Sequence, residues 1–269
     1  GDIRNIDILN SALKGADYVF HFAALWLLQC YEFPRAAFDV NIAGTYNVLE
    51  ACRDNEVKKL VFSSSASVYG DAIEEPMKES HPFNNKTFYG ATKIACEAMC
   101  TAFYDRYQLP YVGLRYMNVY GPRQDYKGAY IAVIMKMLDS IDRGEALKVF
   151  GDGSQAYDFI SVHDCAQANI CAMESNIEDK FYNVGTGERT SIKELAVLVN
   201  KLTCNPKGIE YLPEGKTFVK NRIADIKNAR DDIGFLAKVP LDQGIKDLIL
   251  WRNSHKAEVE QRRKAAGVD

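Results

Sequence analysis

The stretch Val61-Phe62-Ser63-Ser64-Ser65-Ala66-Ser67-Val68-Tyr69-Gly70 runs an apolar, β-rich segment into a cluster of hydroxyls, and 24 residues after Ser65 comes Tyr89-Gly90-Ala91-Thr92-Lys93. The first reads as a strand that delivers serines to a sheet edge. The second reads as the start of a helix, where four-residue spacing puts Tyr89 and Lys93 one turn apart on one face. This arrangement makes chemical sense. A phenol with a pKa of about 10 is a poor base at neutral pH, but an adjacent ammonium favours the phenolate. A strand-end serine can hydrogen-bond the same substrate oxygen and stabilise developing charge. Alone, the Tyr-x-x-x-Lys spacing favours a tyrosine over a core and an exposed lysine; the serine run ahead of it tips the reading toward chemistry.

Outward from this stretch two textures alternate. Short apolar runs occur at 17–21, 59–63, 111–116 and 180–184, separated by stretches of helical period at 41–55, 89–107 and 163–175. Near-continuous apolar strands alternating with helices predict a parallel sheet covered on both faces, an α/β doubly wound fold. Turn-rich segments 121–128 and 151–155 mark excursions from that core. In the last third, Ser191 and Glu194 form a capping-box pattern ahead of residues 195–202. Elements at 222–235 and 241–252 follow, and the charged stretch 255–263 reads as a solvated helix or tail. This portion suits a smaller mixed α/β substrate domain lying over the carboxyl ends of the strands, where ligands bind in open α/β sheets.

Composition narrows the function classes. With 47% hydrophobic and 26% charged residues, the 269-residue chain can bury a sizeable core, which argues against disorder, collagen and coiled coil. A net charge of −3 gives no bulk field for nucleic acid. No apolar run reaches the roughly 18 residues of a membrane span, and residues 1–20 lack the pattern of a signal peptide. Seven cysteines without metal-ligand spacing, and histidines 21, 81, 163 and 255 scattered without partners, predict reduced structural thiols, a cytoplasmic protein and no metal site. Cys96 and Cys100 read as small apolar residues on one helix.

Further segments carry a resemblance. They are Gly1-Asp2-Ile3-Arg4, Val19-Phe20-His21-Phe22-Ala23-Ala24, Asn41-Ile42-Ala43-Gly44-Thr45-Tyr46-Asn47, Leu114-Arg115-Tyr116-Met117-Asn118-Val119-Tyr120-Gly121-Pro122, Gly151-Asp152-Gly153 and Tyr182-Asn183-Val184-Gly185-Thr186-Gly187. In order and spacing, together with the serine run and Tyr89/Lys93, they resemble the extended short-chain dehydrogenase/reductase family and, within it, the nucleotide-sugar 4-epimerases. The resemblance covers nearly the whole chain. It implies a Rossmann-like domain at 1–117 and 155–184 and a nucleotide-sugar-binding domain at 118–154 and 185–269. It also implies NAD as cofactor, a UDP-linked sugar as substrate, and a homodimer built on helices 41–55 and 89–107.

Roles follow by resemblance, position by position. Tyr89 would be the catalytic base, Lys93 would hold the nicotinamide ribose and tune Tyr89, and Ser65 would bind the reacting hydroxyl. Ser63 and Met117 would line the nicotinamide, Asp2 and Ile3 would lie at the adenine, and Phe22, Ala23 and Ala24 would lie beneath the cofactor, with Asn41 touching that loop. Asn118 would bind the substrate diphosphate, although asparagine is also a common turn residue. The mechanism implied is oxidation at C4, rotation of the 4-keto sugar and return of the hydride to its other face, with no net consumption of cofactor. Related 4,6-dehydratases resemble this chain but carry an Asp-Glu pair after the serine; here Ala66-Ser67 stands there, so elimination and decarboxylation lack their carboxylates, and Ser67 would hydrogen-bond the sugar.

The chain also departs from the pattern. Many epimerases place an arginine where Tyr157 stands, and a phenol supplies neither charge nor a bidentate fork to a diphosphate. Arg222 is the candidate replacement, for the diphosphate or for an anionic sugar such as a uronate; pairing with Asp225 at a helix start is an equal alternative. Arg123 and Lys127 read as exposed loop cations, and Trp26, Leu27 and Leu28 as pocket wall or packing. The family's opening strand, Gly-rich turn and helix, followed by an acidic residue about 20 positions on, has no counterpart before Gly1. The resemblance therefore implies roughly 50–60 further residues. Competing readings are a catalytically impaired sugar-nucleotide or dinucleotide-binding relative, and a nucleotide-sugar ketoreductase or dehydratase.

Overall fold

The computed structural model describes residues 1–124, 133–214 and 219–265, so Lys127 lies outside the described residues. Asn5 accepts from the backbone N–H groups of Asp7 and Ile8 and so caps α1 (Ile6–Leu13), a contact type worth about 1 kcal/mol. After β1 (Tyr18–His21) come α2 (Leu27–Glu32) and α3 (Pro34–Ala37). The chain then widens into π-helical winding over Phe38–Gly44 before α4 (Thr45–Asp54), so the helix expected at 41–55 is continuous but not α-helical throughout. Next are β2 (Lys59–Ser65), a single 3₁₀ turn Ala66–Val68, α5 (Phe88–Tyr107), β3 (Tyr111–Tyr116) and β4 (Asn118–Tyr120). The chain continues through α6 (Val133–Asp142), β5 (Leu147–Phe150), β6 (Ala156–Tyr157), β7 (Phe159–Ser161), α7 (Val162–Glu174) and β8 (Asp179–Val184). It ends with β9 (Thr190–Ser191), α8 (Ile192–Thr203), β10 (Ile209–Leu212), β11 (Asn221–Arg222), α9 (Lys227–Ile233), α10 (Leu241–Ser254) and α11 (Lys256–Ala265).

The main sheet has the order β1-β2-β3-β8, all parallel. Alternation along β2 sorts its side chains between two cores. Leu60 and Phe62 join Leu49, Cys96, Cys100, Phe103 and Tyr111 beneath α4 and α5, whereas Val61 packs with Val112, Leu114, Ala168, Ala172, Tyr182 and Val184 beneath α7. Each fully buried Val, Leu or Phe among them contributes about 1.5–3 kcal/mol. With both faces covered, the four expected strands read as apolar runs for the expected reason.

The remaining strands form short sheets, β4-β7, β5-β10 and β11-β6-β9, beside the main one. A third core gathers Ile134, Met135, Leu138, Leu147, Val149, Leu195, Val199, Ile245 and Leu248 around them. The capping box holds: Ser191 Oγ accepts from the Glu194 N–H while the Glu194 carboxylate accepts from the Ser191 N–H at 2.8 Å. Residues 224–235, expected with the smaller unit, instead bury Ala224, Ala229, Ile233 and Phe235 in the core under the main sheet. The cause is apolar content: α9 turns its Ala and Ile toward β8 and leaves its charges outside. Among the described residues no helix is long and apolar enough to cross a membrane.

Candidate active site

Register places the site. His21 pairs with Phe62, and Ser65 pairs with Tyr116, which pairs with Val184. The segments following β1, β2, β3 and β8 therefore emerge together at the carboxyl edge of the sheet: 22–24, 66–67, 117–118 and 185–187. Ser65 Oγ accepts from the Ser67 N–H at 3.1 Å and caps the 3₁₀ turn. Thr87 Oγ1 accepts from Gly90 N and caps α5. A Cβ on Gly90 would lie 2.5 Å from the Ser67 carbonyl oxygen, so only glycine lets the first turn of α5, with Tyr89, sit against that turn.

Lys93 is buried, 4% exposed, and its ammonium donates to the Ser63 carbonyl at 2.6 Å. The Nζ lies 5.8 Å from the centroid of the Tyr89 ring and 5.1 Å from that of Phe62. It forms no ion pair among the described residues, and the Tyr89 hydroxyl makes no hydrogen bond there. Ser63 Oγ is buried without a partner. His21 beneath them bonds Thr45 Oγ1 through Nε2 at 2.8 Å, and burial, helped by the Lys93 charge, pushes its pKa down to about 3.

Asn41, in the π-helical stretch, clamps the loop after β1. Its carboxamide accepts from Leu25 N (2.7 Å) and donates to Leu25 O (2.9 Å) and Thr92 Oγ1 (3.1 Å), tying that loop to α5. Phe22 is exposed and stacks on Phe20, followed by Ala23 and Ala24 at the sheet edge. Leu28 is buried and Trp26 Nε1 is buried without a partner. Ile3 packs against Gly44 and its carbonyl accepts from Asn47. Asp2 is exposed and turned to Arg4, whose hydrogen bond pulls its pKa down to about 2.

On the other side of the edge, Met117 is buried and its N–H donates to Val184 O at 3.0 Å. A Cβ on Gly185 would lie 2.3 Å from Asp158 Oδ2 and 2.9 Å from Met117 Cγ, so the glycine allows these elements to meet. Asp158 is a positioning residue that motif reading did not single out. Its buried carboxylate accepts from Thr186 N, Thr186 Oγ1 and Gly187 N at 2.7–2.9 Å, and its carbonyl accepts from Asn118 N. The Asn118 carboxamide and the Ser67 hydroxyl form no hydrogen bond among the described residues.

Tyr157 and Arg222 are register partners in the small sheet. Tyr157 donates its one proton to Val219 O at 2.7 Å, so it has no donor left for a ligand. Arg222 does not pair with Asp225, because Asp225 accepts from Lys227 N and is held by Met77 through backbone pairing. Its Nη2 reaches Gly70 O at a long 3.4 Å, and its Nε is buried without a partner. Burial pushes the guanidinium down to about 10, opposed by the nearby Tyr157, Asp71 and Tyr89, so it stays charged at neutral pH. Arg123 is exposed on its loop, at positive φ.

Comparison with known proteins places the chain in a family. The model of the NAD dependent epimerase/dehydratase family matches residues 1–185. A protein of Methanocaldococcus jannaschii with a provisional UDP-glucose 4-epimerase assignment is 35% identical over 260 residues, covering 94% of this chain and 83% of its own. A UDP-N-acetyl-alpha-D-glucosaminuronate decarboxylase of Bacillus cytotoxicus is 32% identical over 254 residues, covering 87% and 76%. The solved UDP-N-acetylglucosamine 4-epimerase of Methanobrevibacter ruminantium, in complex with UDP-N-acetylmuramic acid, superposes with a TM-score of 0.90 at 36% identity, covering 94% of this chain and 82% of that one. The fold is thus Rossmann-like, and the chain belongs to the NAD dependent epimerase/dehydratase family.

Proposed function

We propose that the protein is an NAD-dependent nucleotide-sugar 4-epimerase that acts on UDP-linked sugars. One observation supports this most: a buried, carboxylate-free ammonium at Lys93 faces the Tyr89 ring beside a strand end that offers Ser65 and Ser67 but no acid. Elimination of water or loss of a carboxyl group needs a further acid or base at that strand end, and Ala66-Ser67 supplies none. Reversible oxidation of a hydroxyl needs only one base and a partner for the oxygen.

The residues present fit a polar cofactor, since Ser63 Oγ is a buried orphan and the Lys93 ammonium lacks a carboxylate at the same sheet edge. Lys93, Ser63, Met117 and Tyr89 would hold the nicotinamide end of NAD, with Asn41 and 22–24 beneath it and Asp2 and Ile3 further along. When bound, NAD supplies a hydride acceptor that becomes the donor on return. Tyr89 takes the proton of the sugar 4-hydroxyl as the C4–H bond gives up its hydride; Ser65 hydrogen-bonds the oxygen that becomes the ketone. After the keto sugar turns over, Tyr89 returns the proton to the oxygen as hydride reaches the other face of C4. Asn118 and Ser67, both with unused hydrogen-bonding groups, meet the diphosphate and the sugar. Tyr157 lines that pocket through its ring and its remaining lone pair. Arg222 supplies the positive charge missing at Tyr157, to the diphosphate or to a sugar carboxylate.

Dimerisation through helices 41–55 and 89–107 belongs to the same reading, supported by exposed Tyr46 and Tyr107 on these helices. Cytoplasmic residence is part of it, supported by seven free cysteines. A test is the fate of a label: with NAD and UDP-glucose or UDP-glucuronate deuterated at C4, the 4-epimer formed keeps its deuterium at C4. Release of the label to solvent would contradict transient oxidation at that carbon.

A further inference from the structure

Glu97 follows Lys93 by four residues on α5, the spacing at which a lysine and a glutamate on a helix surface pair. They do not pair here. Arg115, on β3, faces α5 on the same side of the sheet as Tyr111, and takes both oxygens of Glu97: Nε donates to Oε1 at 2.9 Å and Nη2 to Oε2 at 2.7 Å. Ser64 Oγ donates to Glu97 Oε1 at 2.5 Å, and Arg115 Nη1 donates to Tyr69 Oη and Glu79 O, each at 2.8 Å. Arg115 is 5% exposed and Glu97 4%. Burial works against the guanidinium charge, but the bonds to Glu97 and Tyr69 outweigh it and hold the pKa above its ordinary value.

The surroundings of Lys93 make this pairing matter. The titratable groups that feel its charge or face it are His21 of β1, Cys30 of α2, and Tyr89, Cys96 and Cys100 of α5, and Glu97 lies four residues further along that helix. Burial keeps His21 neutral and raises all three thiols, Cys30 to about 11. Glu97 is the one carboxyl group among these residues, one helical turn along α5 from Lys93.

We propose that Arg115 is a positioning residue for the reaction: by occupying both carboxylate oxygens of Glu97 it keeps that carboxylate off Lys93, so that the ammonium stays on the Ser63 carbonyl and its charge acts on Tyr89. The inference rests on the reading of Tyr89 and Lys93 as the reacting pair. Removing Arg115 does more than loosen the core. It frees a buried carboxylate one helical turn along α5 from Lys93, within the spacing at which the two side chains can pair, and that new pair offsets the field at Tyr89.

Arg115→Met separates this from a purely structural role. At neutral pH, with the cofactor-loaded protein, kcat falls about tenfold while KM stays within about threefold, and the basic group in the rate–pH profile titrates about one unit higher. Adding Glu97→Gln, which keeps an acceptor for Ser64 but no charge, returns kcat to within about threefold of the parent and returns the pH profile. A double variant as slow as the single one, with the profile unmoved in both, overturns the proposal. If Arg115→Met does not fold, Arg115→Lys leaves one Glu97 oxygen free and gives a smaller shift in the same direction; an unshifted profile there overturns it equally. Tyr89→Phe retaining full activity would instead discard the underlying reading.

Discussion

Two arginines, Arg115 buried and Arg222 half-buried, border the same sheet edge, and they are treated oppositely. Arg115 lies between β3 and α5 with four hydrogen bonds to Glu97, Tyr69 and Glu79, one of them also an ion pair. Arg222, on β11, has one long bond to Gly70 and an orphaned Nε. A buried cation without partners is costly, so folding alone gives no reason to keep one. The difference separates a side closed by its own carboxylate from a side whose guanidinium has no carboxylate partner among the described residues, and the proposed anion-binding role of Arg222 rests on that contrast.

That contrast can be broken by stability. Truncating Arg115 to Ala strands the Glu97 carboxylate and is expected to cost about 3–5 kcal/mol in denaturant unfolding. Arg222→Ala strands no carboxylate and is expected to fall within about 1 kcal/mol of the parent. Equal losses at the two sites would erase the distinction. Substrate sharpens it next. Arg222→Ala is expected to lower kcat/KM about 10–100-fold, with the larger loss on UDP-glucuronate if the partner is a sugar carboxylate and equal losses on UDP-glucose and UDP-glucuronate if it is the diphosphate. Small, equal effects on both would remove Arg222 from recognition.

A pH-dependent effect concerns His21, buried beneath Lys93 and Tyr89. Unfolded, it takes a proton near pH 6.5; folded, it stays neutral to about 3. The folded state therefore binds fewer protons in that window. Its contribution is complete above pH 6.5 and drains away as the pH falls toward 3, by at most about 1.4 kcal/mol per unit. His21→Gln is expected to flatten that slope between pH 6 and 4, measured by denaturant titration; an unchanged slope would place the acid sensitivity elsewhere.

Much of this was readable in order along the chain. The four strands of the main sheet announce themselves because both faces are covered, and Tyr89, Lys93 and the Ser191 cap are written in local spacing. The partners of those residues are not local. Glu97 shows the helical period after Lys93, but that it meets Arg115 depends on β3 lying beside β2 in one register. Asp158 looks like any acid before a strand until Thr186 and Gly187 converge on it. Arg222 and Asp225 are near in sequence and suggested a pair; β11 pairing with β6 carries Arg222 toward Tyr157 instead. The π-helical winding at 38–44, which aims Asn41 at Leu25, is not distinguished from an ordinary helix by the period read at 41–55.

The central claim is that Tyr89 moves the proton at the reacting hydroxyl. Its most direct test is turnover by Tyr89→Phe, with NAD present and UDP-sugar binding measured alongside. The account predicts intact binding and a loss of turnover of about 10³-fold or more, since one hydroxyl removes the base and leaves the ring that Lys93 faces. Turnover within about tenfold of the parent would contradict it.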